Sequence, residues 1–260
     1  MSAEKDQALV LRFVDFSESS GVVTLLTREF GKISTLAKGA RRPKGPFESA
    51  LDLLALCRVV FLRKSSGNLD LLTEAKLERR FRPPGRDLSR LYAGYYIAEM
   101  LDRLTDEYDP HPRLFDTSVE TLATLARHPR GLPAAWVLRW ELALLRELGQ
   151  LPTLDQCAEC GNPLPPQSRL TYGVAAGGML CAECRIGQRQ LISVALGVPG
   201  TLAEFAASTD PDRIGASEDW RDWTIPAEQW GEVRGVINQT LWQILGERPR
   251  VHAYLGGLTH

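Results

Sequence analysis

Four cysteines, in the pattern Cys157-x-x-Cys160 and Cys181-x-x-Cys184, are the side chains in this chain best equipped for chemistry. Each pair can turn two thiolates toward one ion, and two such pairs supply the four soft ligands of a tetrahedral structural zinc site. Gly161 follows the first pair and Gly187 lies just beyond the second, where backbone must turn tightly around a metal. Pairwise oxidation is the competing reading. Nothing before Gln7 reads as a secretory leader, and in a reducing cytosol paired Cys-x-x-Cys hooks bind metal more often than they oxidise. Four cysteines close the tetrahedron, so the expectation is one structural Zn2+ on Cys157, Cys160, Cys181 and Cys184, with no position open for a substrate.

Other catalytic arrangements are missing from the sequence. His111, His128, His252 and His260 stand far from the cysteines, and no His-Glu-x-x-His run offers a second metal site. There is no phosphate-cradling Gly-x-x-x-x-Gly-Lys-Ser/Thr loop, and no Ser/His/Asp or Cys/His arrangement. The carboxylate pairs Asp106-Glu107 and Glu218-Asp219 lie in polar stretches typical of solvated surface. Cys57, inside the apolar run from Leu53 to Leu62, reads as a small buried hydrophobe. The expectation is a protein that is not an enzyme.

The net charge of −1 conceals an asymmetry. Residues 1–86 hold sixteen Lys and Arg against ten Asp and Glu, whereas residues 87–260 hold fifteen against twenty-two. A basic front on an acidic body suggests that one end binds an anionic polymer. The densest cluster is the loop Lys38-Gly39-Ala40-Arg41-Arg42-Pro43-Lys44, whose glycine and proline let backbone approach a phosphate chain; a solvated loop is the alternative. Arg28 and Lys32 extend this patch upstream, and Arg79 and Arg80 form a second cluster. Single-strand binding also needs rings on which bases stack. Phe30, in a turn, and Phe47, beside the basic loop, are the candidates, while Phe13 shares parity with Leu9 and Leu11 and is expected in the core.

Five strand-like segments with turn signals between them fill the stretch from Gln7 to Glu78, which favours a small closed barrel of the OB or SH3 type. After the linker Arg82-Pro83-Pro84-Gly85 the period becomes helical, over 88–104 behind an Asp87 cap, 112–128 and 133–148, the last closed by Gly149. Helical text resumes at 201–207 and 227–245, stopped by Gly246. The expected architecture is multidomain α+β: a barrel over 1–81, a helical domain in two parts over 82–150 and 191–260, and a zinc subdomain over 151–190 inserted between them. No apolar run approaches the roughly twenty residues of a membrane span, and the expected location is the cytoplasm.

Several runs together carry a resemblance. Thr27-Arg28-Glu29-Phe30-Gly31-Lys32, Ala37-Lys38-Gly39-Ala40-Arg41-Arg42, Tyr96-Ile97-Ala98-Glu99-Met100 and Leu145-Arg146-Glu147-Leu148-Gly149-x-Leu151-Pro152 ahead of Cys157-x-x-Cys160-Gly161 resemble, in this order, the RecO family of bacterial recombination mediators. The resemblance weakens after about Ile192. It implies an N-terminal OB-fold, a helical domain and a zinc subdomain in a non-catalytic DNA repair protein. It further implies binding to single- and double-stranded DNA, annealing of complementary strands, association with RecR and the single-stranded-DNA-binding protein SSB, and work alongside RecF in loading RecA. Some members of that family lack the four cysteines, which assigns the zinc a structural part. Two other readings stay open on the residues alone: an interaction adaptor whose barrel only tethers, and a zinc enzyme acting on nucleic acid.

Overall fold

In the computed structural model, residues 2–40, 42, 47, 50–64, 69–85, 87–128, 133–166, 168–210 and 220–252 are described. Five N-terminal strands form, β1 (Ala3–Asp15), β2 (Gly21–Thr27), β3 (Gly31–Ala37), β4 (Leu56–Leu62) and β5 (Asp70–Arg79), with inward and outward positions alternating cleanly along β3 and β2 buried almost throughout. Strands β1, β2 and β3 pair antiparallel in succession, β5 runs parallel to β3 and antiparallel to β4, and β4 returns to β1. The result is a closed barrel in the order β1-β2-β3-β5-β4, which leaves no unpaired sheet edge. Val10, Val23, Leu25, Ile33, Val59 and Phe61 fill its interior. Cys57 is buried there too, its thiol donating to the Ala50 carbonyl at 2.8 Å, and burial pushes that thiol up to about 12.

The pairing of β1 with β2 shifts between Val10 and Arg12, a β-bulge that reverses the alternation along β1. Ala8 and Val10 point inward before it and Phe13 after it, so Arg12 and Val14 face outward. Phe13 thus joins the core as expected, but for a different reason. Leu9 lies on the outer face, among Leu54, Phe81 and Leu122, and the bulge rather than shared parity turns Phe13 in. Gly21 makes room for that ring: a Cβ there would lie 2.3 Å from Phe13 Cζ.

Two helices belong to the same compact unit as the barrel, α1 (Leu88–Leu104) and α2 (Pro112–Arg127). The Asp87 carboxylate caps α1 by accepting from the Arg90 backbone N–H at 3.2 Å. The buried Arg90 guanidinium donates to the Leu125 and His128 carbonyls at the end of α2, at 3.2 and 2.7 Å. The connection between α1 and α2 is fastened to β3. Tyr108 N–H donates to the Lys32 carbonyl at 2.9 Å, and the Ser34 hydroxyl to Glu107 at 2.8 Å. Gly31, at φ +72°, sits so close to this connection that a Cβ would lie 2.3 Å from the Asp109 carbonyl oxygen.

A second compact unit contains α3 (Pro133–Glu147), α4 (Gly197–Ala207) and α5 (Trp230–Leu245) with a three-stranded sheet of β6 (Arg169–Gly173), β7 (Gly178–Leu180) and β8 (Leu191–Ala195) in the order β7-β6-β8. Along the chain, the first unit gives way to the second after His128, between α2 and α3, and takes up the chain again at Arg250. Residues Ala134–Leu145 of α3 are all buried, as expected for the centre of a bundle. Glu141, 0% exposed, receives both arms of Arg234 from α5, and Arg234 also donates to Asn238 at 2.6 Å. The Tyr172 and Thr240 hydroxyls, 2.7 Å apart, tie the small sheet to α5, which ends at Gly246 with φ +74°.

Removing one partner of a buried ion pair strands the other. Arg234→Met is therefore expected to lower stability by about 3–5 kcal/mol in urea unfolding, with Glu141→Leu/Arg234→Met recovering most of the loss. A single variant as stable as the parent would show that Glu141 does not depend on this arginine.

Candidate metal centre and nucleic-acid interface

The four cysteines come together in space. Cys157 and Cys160 follow α3 on a turn in which Gly161 N–H donates to the Cys157 carbonyl at 2.8 Å and Gly161 takes φ +71°; Cys181 and Cys184 follow β7. Ala158 N–H donates to the Met179 carbonyl at 2.8 Å, which joins the two hooks. All four Sγ atoms lie within 4.8 Å of one another, and Cys160 and Cys181 are 3.9 Å apart. Sulfurs about 2.3 Å from a central tetrahedral ion are about 3.8 Å from each other, whereas a disulfide needs about 2.05 Å. The spacing is that of a metal cage.

The electrostatics ask for a cation. Burial raises the Cys157 thiol, but backbone N–H groups of Cys160, Cys181 and Glu159 outweigh it and bring the thiol down to about 6. Cys184 is pushed well above the usual thiol range by its sulfur neighbours Cys181, Cys160 and Cys157. Thiolates crowded this closely repel one another, and a shared divalent ion removes the repulsion. These four residues can hold a metal ion, and no water or substrate position remains once all four bind.

The basic candidates divide into two sets. Arg28 is engaged: its guanidinium donates to both carboxylate oxygens of Asp116 at 2.9 and 2.8 Å and also meets Glu29, and these bonds raise its pKa further. The Lys32 ammonium donates to the Asp102 carbonyl at the end of α1. Arg79 donates to the Val119 carbonyl at 3.2 Å, with burial lowering its pKa, and Arg80 pairs with Asp52 at 3.4 Å. These four cations join barrel strands or their exits to neighbouring segments. Lys38 and Arg42, by contrast, are exposed on the loop after β3. No side-chain partner meets either of them among the described residues. Arg41 and Lys44 lie outside the described residues.

Of the two expected stacking rings, Phe47 belongs to the core and Phe30 packs half-buried against it. Phe47 is 3% exposed in the barrel interior, and Phe30 packs edge-on against Phe61 with centroids 5.4 Å apart. Each residue turns its ring toward the barrel from a segment whose sequence is polar. A phenylalanine that does face solvent is Phe16, 63% exposed in the turn after β1 and not among the residues singled out by sequence pattern. Its signal is its place one residue beyond a strand, where the inward and outward alternation stops.

Residues 1–81 match the family described as Recombination protein O N terminal, and residues 85–249 the one described as Recombination protein O C terminal. The chain belongs to the RecO family. The DNA repair protein RecO of Rhodopirellula baltica is 40% identical over 264 residues, covering 95% of this chain and 97% of that one. That of Anaeromyxobacter dehalogenans is 36% identical over 255 residues, covering 98% and 96%, and that of Myxococcus xanthus 31% over 248 residues, covering 95% of both. The boundary between the two RecO matches falls at the linker after β5. Among the described residues no helix is long and apolar enough to cross a membrane.

Metal analysis of protein purified under reducing conditions is expected to give about one divalent ion per chain. Cys157→Ser should abolish that ion and lower the melting temperature before it alters nucleic-acid binding, because thiolate ligation acts through folding free energy. Metal-free protein with unchanged stability would reject the cage.

Proposed function

We propose that this chain is a non-catalytic DNA repair and recombination mediator. Its barrel is an OB-fold that binds single- and double-stranded DNA and promotes annealing of complementary strands, and the protein helps load the RecA recombinase with RecR. The strand order β1-β2-β3-β5-β4 with a parallel β3–β5 pair agrees with the five-stranded Greek-key OB barrel. The observation that carries the reading is the loop after β3, where Lys38 and Arg42 are exposed while Arg28, Lys32, Arg79 and Arg80 are engaged within the fold. Phosphate contacts need cations that are not already neutralised, and this loop supplies them, with Arg41 and Lys44 in the same segment. The reading extends the names of the similar proteins, which are DNA repair proteins.

The ion in the four-cysteine cage is Zn2+, bound by Cys157, Cys160, Cys181 and Cys184. When bound it supplies structural cross-linking and no reaction chemistry. RecR, SSB and RecF are the protein partners of this reading, through the more acidic residues 87–260, and the cytoplasm is its setting.

Neutralising Lys38, Arg41, Arg42 and Lys44 to alanine should weaken single-stranded and duplex DNA binding alike. Each phosphate that the variant leaves without a cation should make the log-log salt slope shallower by about 0.7–0.9. Wild-type affinity and slope in that variant would mean that the loop is a solvated face.

A further inference from the structure

The barrel surface carries an aligned row of outward apolar side chains. The register places Val14 of β1 opposite Val22 of β2, Val22 opposite Leu36 of β3, Leu36 opposite Leu71 of β5, and Leu71 opposite Leu62 of β4. Each alternates with an inward residue, Phe13, Val23, Ala37, Leu72 and Phe61, so the five share the outer face. Further down the same strands Leu9 and Leu26 also face out, but they are buried where α1 packs on β1 and β2. The upper row is more open: Val14 is 46% exposed and the other four are half-buried. Phe16 stands two residues beyond Val14 at 63% exposure. Its turn is fixed by Phe16 N–H and Ser17 N–H donating to the Ser20 carbonyl at 3.0 and 3.1 Å, and by Ser20 N–H donating to the Ser17 hydroxyl at 3.2 Å.

Cations border this row on both sides. Arg12 lies two residues before Val14, Lys38 two beyond Leu36, and Lys64 two beyond Leu62; all three are exposed. None of their side chains has a partner among the described residues. Asp15 and Glu18 are exposed near the Phe16 turn, while Asp70 is buried and engaged with the Tyr108 hydroxyl and Lys64 N–H. An apolar row with a ring at one end and cations along its margins fits a ligand with flat apolar faces on an anionic backbone. From Val14 to Leu36 the row crosses two strand spacings, about 10 Å, which accommodates neighbouring bases of one strand.

We infer that Phe16 and the row Val14–Val22–Leu36–Leu71–Leu62 form the nucleobase platform of the barrel. Single-stranded DNA lies across the strands with its bases on this row and its phosphates toward Lys38, Arg12 and Lys64. The inference rests on the DNA-binding reading above and separates its base contacts from its phosphate contacts. Phosphates reach cations in duplex and single strand alike, whereas only unpaired bases expose the faces that a ring and a row of aliphatic side chains can cover.

The test is fluorescence anisotropy of Phe16→Ala against three labelled probes: a twenty-nucleotide oligo(dT), a duplex of the same length, and an abasic phosphodiester of the same length. Affinity for oligo(dT) should fall by about five-fold to a hundred-fold, the range expected when one stacking ring is removed, with duplex and abasic affinity unchanged. Phe16→Trp should restore oligo(dT) binding, and Leu36→Ser should repeat the selective loss at a position remote in sequence. Because Phe16 is largely exposed, the alanine variant should melt with the parent. Equal losses on all three probes, or none on oligo(dT), would overturn the platform. If the parent also binds none of the probes in a salt-dependent way, the DNA-binding reading itself fails; if the parent and the Lys38→Ala/Arg42→Ala variant behave as phosphate binding requires, only the platform fails.

Discussion

Strand β1 is shared by two neighbours, pairing with β2 through its second half and with β4 through its first, and the barrel closes only because both pairings hold at once. The bulge between Val10 and Arg12 makes the double pairing possible by bending the strand and resetting its alternation. It decides that Phe13 enters the core and that Arg12 and Val14 face out. Without it, the charged residue would point into the apolar interior and the aromatic ring toward water, an arrangement that burial energetics disfavour. The outer surface on which a polyanion would land is thus set by one extra residue inside the fold.

A second constraint concerns which cations stay exposed. Arg28 and Lys32 belong to one of the runs that carry the family resemblance, and both help to join the barrel to the segment around α1 and α2. Gly31 serves the same joint, since backbone at Asp109 occupies the space where a Cβ would stand. That run is therefore accounted for by packing within the first unit. The neighbouring loop, with Lys38 and Arg42, carries charge that the fold does not neutralise among the described residues. In the second unit, the four cysteines gather within a segment rich in glycine and polar residues, while α3 and the Glu141–Arg234 pair supply a buried apolar helix and a buried ion pair.

Much of this was legible in the sequence, for physical reasons. The five N-terminal strands announce themselves by β-branched and apolar runs, alternating in β1, between Gly- or Ser-rich turns, two of the helices by Asp87 and Gly246 at their ends, and the cysteine cluster by spacing alone. Strands β6, β7 and β8 are not legible in the same way, because segments of three to five residues among turns show too few periods. The fate of Arg28 was hidden because its partner Asp116 lies 88 positions away. Phe30 and Phe47 sit in polar text, and only the folded chain shows their rings turned onto Phe61 and into the barrel interior. The passage from the first unit to the second between α2 and α3 has no local mark either, since helical periodicity shows that each helix forms and not which core receives it.

If the barrel acts by neutralising phosphates, bringing complementary strands together needs charge and not turnover. The most direct measurement is the annealing rate of two complementary oligonucleotides with this protein, without nucleotide, with EDTA present only during the reaction, across a salt series. The expected result is annealing that proceeds without ATP and falls steeply as salt rises, because released counterions drive the binding. Annealing that requires ATP hydrolysis, or that is indifferent to salt, would contradict the account.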